Sequence, residues 1–316
     1  MKLTRVLSPL ALLLPVCCAG LPHSESPVRR VVAPNLEHPL SERYPSSSVP
    51  KDPVKTAVLA QINRDRERAG LPAVAWDEEA GRVADAFCAR QVREKTRGHY
   101  LMDGIPPYAR TSFAGVFGMQ LENAASWRTT GTSFTQDARE LALSSHAGMM
   151  AEVPPKDGHR KTILDPDVTH VGVGWNSEGG RFQMAEEFLA RRLAWLSLAR
   201  APGDRVILRF EGQTLSDRIQ LVTIAWEPGP APLTQKEASA RSSYLYPQPR
   251  QSLIPEGHRA SVSGTVAQDR IRLAKGGEFS FEFAPDRTGL WTLVFYTART
   301  LAGRGRPAGS VTFWVE

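Results

Sequence analysis

The chain has 316 residues, 41% apolar and 23% charged, with a formal net charge of +6. That length gives room for two domains and a buried core that needs no covalent staples. The basic excess comes mostly from arginine and has no basic run, heptad or nucleic-acid motif beside it, so it marks a solvated surface suited to an anionic envelope or polymer.

Met1 to Arg5 is a short basic region, Leu7 to Val16 an apolar run broken by two prolines, and Cys17-Cys18-Ala19-Gly20 supplies small residues for cleavage. Residues 1–20 therefore read as a secretory signal peptide, too short to span a membrane as an ordinary helix. Cys17 or Cys18 offers a lipid-anchor site as the other reading; Leu14 suits it, whereas Pro15 and Val16 do not. Either way Cys88 alone remains in the folded part, which excludes an intramolecular disulfide framework. No second apolar stretch is long enough for a transmembrane helix. Residues 21–51, rich in Pro, Ser and Arg, bury too little to offset their ordering entropy and read as a disordered tether.

The first domain is expected over residues 52–200. Asp52-Pro53 is an N-cap followed by proline, Val54, Val58 and Ile62 mark one helical face, and Gly70 stops the helix. Asp77 caps a second helix whose stripe Ala80, Val83, Ala84, Phe87 and Cys88 makes Cys88 a core thiol rather than a nucleophile. Residues 97–132 read as loop, and a third helix is predicted from Phe134 to Glu152, ended by Pro154-Pro155. A carboxylate at Glu152 meets the unfavourable end of that helix dipole, which asks for a nearby cation or metal. Val171, Val173 and Trp175 alternate with glycines as a strand, and residues 176–180 turn the chain into its partner, Phe182–Phe188. Residues 189–198 suit a helix or an irregular connector. From 204 to 316 short strands separated by turn residues predict a small all-β, sandwich-like domain, divided by a proline-rich loop from Glu227 to Gly257.

The chemistry gathers in Gly98-His99, Leu121-Glu122-Asn123, Glu152 and Gly158-His159-Arg160. Imidazoles and carboxylates can share a divalent ion such as zinc or pass protons to a substrate. The bland reading is a hydrogen-bonded polar network that holds loops together. For His146 and His170 a place in the core or on the surface is the default, and for Glu186-Glu187 a solvated acidic pair.

With Ile62-Asn63-Arg64, Ala69-Gly70-Leu71, residues 74–80, Gly98-His99, Glu122-Asn123, residues 158–164 and residues 170–174 in this order, residues 53 to about 189 resemble a CAP domain. The likeness is to the bacterial, cysteine-poor branch of that superfamily of cysteine-rich secretory proteins, antigen 5 and pathogenesis-related 1 proteins. It implies an α+β chain, an α-β-α sandwich followed by the β-rich part, with a cleft lined by His99, Glu122, Glu152 and His159 and supported by Asn123 and Arg160. The chain departs from the family pattern at Leu121, where Gly is common, and lacks the family's disulfides.

Three function classes follow. A secreted or envelope-anchored binding module would take a lipid, glycan or peptide, with a possible zinc or other divalent-cation site. A metal-assisted hydrolase would use Glu122 or Glu152 as general base; no His-Glu-x-x-His and no nucleophile elbow supports it. A structural or adhesive envelope protein would use the CAP domain as scaffold.

Overall fold

The computed structural model describes residues 31–32, 49–201, 206–258, 261–262, 265–300 and 303–316. The expected signal peptide, with Cys17 and Cys18, lies outside these residues, as does most of the expected tether. Within the tether, Val31–Val32 (β1) pairs antiparallel with Val315 and Trp314. Two β-branched residues there meet an open strand edge and gain backbone partners that a polar tether lacks.

Asp52 caps Pro53–Arg68 (α1), its carboxylate accepting from the N–H groups of Val54 and Lys55. After the short strand Ala75–Trp76 (β2), Asp77 caps Glu78–Glu94 (α2), which ends on Lys95 at φ 56°. The expected loop over 97–132 folds instead into Pro107–Phe113 (α3) and a ten-residue strand, Met119–Arg128 (β3). Polar Gln120, Glu122 and Asn123 break the apolar alternation that would have announced that strand. The third long helix starts later than expected, because Asp137 and Glu140 form a capping box that sets Ala138–Met150 (α4). Gly158–Ile163 (α5), His170–Glu178 (β4) and Arg181–Ala190 (β5) follow.

The first sheet has the order β2-β4-β5-β3, so β3 is an edge. On one face Val171, Val173, Phe182 and Phe188 pack with Val58 and Ile62 of α1 and Leu141 of α4. On the other face α2 lies tight against β4 at Gly172 and Gly174. A Cβ on either would land on the α2 backbone, at Ala80–Gly81 or Ala84–Asp85. Helices thus cover both faces, and the chain is α+β with an α-β-α sandwich.

Leu193–Arg200 (β6) is a strand, and it pairs with Leu208–Thr214 (β7), so the second sheet starts ahead of the expected boundary at 204. Arg218–Glu227 (β8) is followed by Gln235–Ala240 (α6) and Pro249–Pro255 (β9). Ser261–Val262 (β10) and Thr265–Val266 (β11) pair separately. Gln268–Leu273 (β12), Glu278–Phe283 (β13), Gly289–Ala298 (β14) and Arg306–Val315 (β15) complete a sheet ordered β1-β15-β14-β8-β9-β12-β13-β7-β6. Phe281 of β13 faces Phe295 of β14 with ring centroids 6.2 Å apart, and Phe210 of β7 faces Phe313 of β15 at 6.4 Å. The sheet therefore closes over one apolar core in the manner of a sandwich. Between β8 and β9 the chain crosses back to the first sheet, where Leu233 N–H donates to Met102 O at 2.8 Å. Among the described residues no helix is long and apolar enough to cross a membrane.

Candidate functional site

The edge strand β3 organises the site. Successive side chains point to opposite faces of a strand, so Gln120 and Glu122 share one face while Asn123 takes the other. On the neighbouring β5, Glu187 stands opposite Glu122 and Glu186 opposite Asn123.

On the first face His99, from the loop after α2, sets Nδ1 2.8 Å from Glu122 Oε1. Arg110 of α3 donates to the other oxygen of Glu122 and lies 4.0 Å from Glu187 Oε1. Gln120 Nε2 donates to Glu187 Oε2 at 2.5 Å. The Arg110 guanidinium sits 3.8 Å over the Phe87 ring, which holds it in place. Glu122 and Glu187 are buried, and burial pushes both carboxyls above the usual range; the charge of Glu122 adds to this for Glu187, while Arg110 opposes it for both. Two buried carboxyls facing one guanidinium hold a proton between them. On Glu187 that proton turns Oε1, which has Arg110 at 4.0 Å but makes no hydrogen bond of its own, into a donor toward Glu122. One cation then balances one anion. His99 is pushed down to about 4, by burial first and Arg110 second. The neutral ring donates Nδ1–H to Glu122 and leaves Nε2 as an acceptor.

The second pair is more open. His159 Nδ1 lies 2.5 Å from Glu152 Oε1, and His159 N–H donates to Glu152 Oε2 at 2.9 Å. Their side chains are 32% and 25% exposed. Glu152 stands beyond the end of α4, and its partners are the ring and backbone N–H of His159. Asn123 joins the two faces: its amide donates to His159 O at 3.2 Å and Glu186 Oε2 at 3.0 Å. The His99 and His159 rings stand 6.4 Å apart, centroid to centroid. Of the expected six residues, Arg160 is the one that does not join; it is exposed and donates to Met150 O, tying α5 to α4.

The expected solvated pair Glu186-Glu187 is instead fully buried, because β5 lies between β4 and β3 with helices over both faces. Glu186 accepts from a fully buried His146, with Nδ1 to Oε1 at 2.7 Å, and the other ring nitrogen lies 3.1 Å from Asp65. Burial alone would lower the His146 pKa, but Glu186 and then Asp65 raise it above the usual value. The alternation Phe182, Met184, Glu186, Phe188 was the signal for a buried acid there. His170 remains a half-buried strand residue against Thr169, its pKa lowered by burial. Cys88 is a buried core thiol.

Two tyrosines from the crossing segment complete the site and carried no sequence signal. The Tyr244 ring meets His99 edge-on at 5.0 Å, and its hydroxyl accepts the Glu122 N–H at 2.5 Å. The Tyr246 hydroxyl accepts from Gln120 N–H at 3.0 Å and donates to Gln120 O at 3.1 Å. These hydroxyls occupy backbone groups that the edge of β3 would otherwise leave open.

Among the described residues no three His, Cys, Asp or Glu side chains converge as metal ligands. Both oxygens of Glu122 and of Glu152 are already engaged, which leaves the two Nε2 atoms as donors. A catalytic zinc takes three protein ligands, so the set as arranged does not fit one.

An α-β-α sandwich with two His–Glu pairs flanking an edge strand defines the class of domain. Residues 59–189 match the model of the Cysteine-rich secretory protein family, CAP, and this segment is a CAP domain. Over 122 residues the chain is 28% identical to the uncharacterized protein YkwD of Bacillus subtilis (strain 168), covering 39% of this chain and 42% of that one. The chain thus spans about two fifths of the length of that curated relative. Among solved structures, an extracellular protein containing a SCP domain from Bacillus anthracis str. Ames aligns at 21% identity and TM-score 0.35, over 46% of this chain and 45% of that one. An outer surface protein from Borrelia burgdorferi aligns at 14% identity and TM-score 0.35, over 46% of this chain and 97% of that one.

Proposed function

We propose that the chain is an exported, envelope-associated CAP-domain protein that captures a ligand between His99 and His159. One observation carries this reading: the two imidazoles face each other at 6.4 Å, each oriented by a carboxylate on Nδ1 and each with Nε2 left for a guest. Neutral His99 supplies an acceptor from the buried wall, and His159, partly exposed, presents its ring from the open side. Such a pair suits the hydroxyl, amide or carbonyl groups of a lipid headgroup, a glycan or a peptide. The carboxylates serve as orienting groups, as carboxylate partners of imidazole commonly do. The hydrolase reading draws less support, since Glu122 is buried and shared by His99 and Arg110, leaving Glu152 as the more accessible base. The signal peptide, or a lipid on Cys17 or Cys18, would deliver the protein to the envelope.

The test titrates phospholipid vesicles, a chito-oligosaccharide and a mixed peptide library against the full chain and against His159→Ala. Binding of one probe that weakens by about tenfold in the variant, with unchanged unfolding, supports capture. No binding to the full chain, with His159→Ala altering stability alone, overturns capture and leaves the scaffold role.

A further inference from the structure

A second concavity, of about 550 Å³, opens where the far ends of β3 and β5 meet α6. Lys95, Arg97, Arg128, Arg181 and Lys236 line it, and no carboxylate does. None of these five side chains has an ion-pair or hydrogen-bond partner among the described residues. The contrast with nearby Arg90, held by both Glu94 and Asp103, is direct. Five unneutralised cations around one hollow repel one another, and concave low-dielectric walls focus their field on whatever enters. An anion there relieves the repulsion.

Two further atoms say more about the guest. Thr96 and Gln183 line the same groove at 1% and 2% exposure, and Thr96 Oγ1 and Gln183 Oε1 have no hydrogen-bond partner. A buried polar atom left unsatisfied is costly, and an amide oxygen can only accept. A bare oxyanion brings no donor for Gln183 Oε1, whereas a hydroxyl-bearing guest does. Ser126 and Ser239 add hydroxyls along the walls.

We propose that this groove is a binding site for an anionic saccharide, its phosphate, sulfate or carboxylate groups meeting the five cations and its hydroxyls meeting Thr96 and Gln183. The site is separate from the His–Glu cleft and does not depend on that reading. Ser126 and Arg128 share the strand face of Glu122 but start four positions further along β3, roughly 13 Å away. Both parts of the chain build it, because Gln235, Lys236 and Ser239 come from α6 while the other wall belongs to the CAP domain. Gln235 Nε2 fixes that wall by donating to Lys95 O at 2.8 Å.

The experiment is calorimetric titration of the full chain with a heparin-derived hexasaccharide. The parallel arms are inorganic pyrophosphate, a neutral chito-hexaose, a hexadeoxythymidylate and anionic phospholipid vesicles. Arg128→Gln/Arg181→Gln removes two groove charges, and Arg139→Gln/Arg304→Gln removes two exposed charges elsewhere. The expected result is one-to-one binding of the hexasaccharide, weakened by at least about tenfold in the groove pair and by about twofold or less in the control pair. Equal weakening in both pairs would mean unspecific charge attraction and overturn the proposal. So would absence of binding, tighter binding of the oligonucleotide or the vesicles, or pyrophosphate binding as tightly as the saccharide. Should the groove pair fail to fold, Lys95→Gln/Lys236→Gln, both exposed, replaces it with the same expectations.

Discussion

Glu187→Gln tests the shared proton in the buried cluster. Gln has the size of protonated Glu: its amide can donate to Glu122 where the carboxyl proton did, and its carbonyl can accept from Gln120 as Oε2 does. Burial raises the Glu187 carboxyl pKa on folding, so at pH values between the unfolded 4.5 and the folded value the native chain holds a proton that the unfolded chain has released. For an acid raised in this way, stability is full below the unfolded pKa and falls as pH rises, until the folded pKa is reached. The slope for one proton is about 1.4 kcal/mol per pH unit. The variant carries no such proton and escapes the slope. Urea unfolding followed by tryptophan fluorescence, at steps from pH 4.5 to 8, should give similar stabilities at the acid end. Towards neutral pH the variant should gain on the wild type at about 1.4 kcal/mol per unit through the window. Parallel curves would show that the pair holds no extra proton, and a variant weaker at every pH would show that the amide cannot take the carboxyl's place.

His146→Ala leaves Glu186 buried with Asn123 as its remaining side-chain partner and should cost about 3–5 kcal/mol near pH 6. Because the His146 pKa is raised on folding, its contribution is complete below about pH 6.5 and is lost as pH rises through the folded value, so the gap to wild type should narrow at pH 9 in the same urea assay. Gly174→Ala places a methyl on the backbone of Ala84–Asp85 and should lower stability by at least about 1–3 kcal/mol, read as the thermal midpoint. Tyr244→Phe keeps the ring on His99 but strips the partner from the Glu122 N–H; a cost of about 1–3 kcal/mol and faster hydrogen exchange at that amide are expected. Cys88, buried and with its thiol pushed up by burial first, should stay unmodified by an aromatic disulfide reagent until the chain unfolds.

The helices that begin with a side-chain cap were open to reading, since Asp52 and Asp77 fix their starts through bonds a few residues long. The local motifs around His99, Glu122, Glu152 and His159 pointed to residues that the structure arranges as two His–Glu pairs. Strand β3 was hidden because its inward positions carry Gln, Glu and Asn, groups that a strand buries when partners arrive from elsewhere in the chain. Arg110, Glu187 and the Asp65–His146–Glu186 assembly were hidden for the same reason. Each is an ordinary polar residue in sequence and becomes part of the cluster through register, such as Glu122 beside Glu187, or through packing across the sheet. Tyr244 lies 145 positions after His99, and nothing short-range links them.

The tyrosines that lie on β3 make the two sheets poor candidates for separation. A fragment ended at Ala190 would retain every residue of the CAP match yet lose Tyr244 and Tyr246. The amides of Gln120 and Glu122 would then face water or another molecule. A bare strand edge of that kind recruits other strands, so the trimmed piece is expected to self-associate, and its His99 would titrate in a wetter setting than in the whole chain. The domain defined by likeness to its relatives is therefore smaller than the physical unit that sets the chemistry of its buried His99–Glu122 pair.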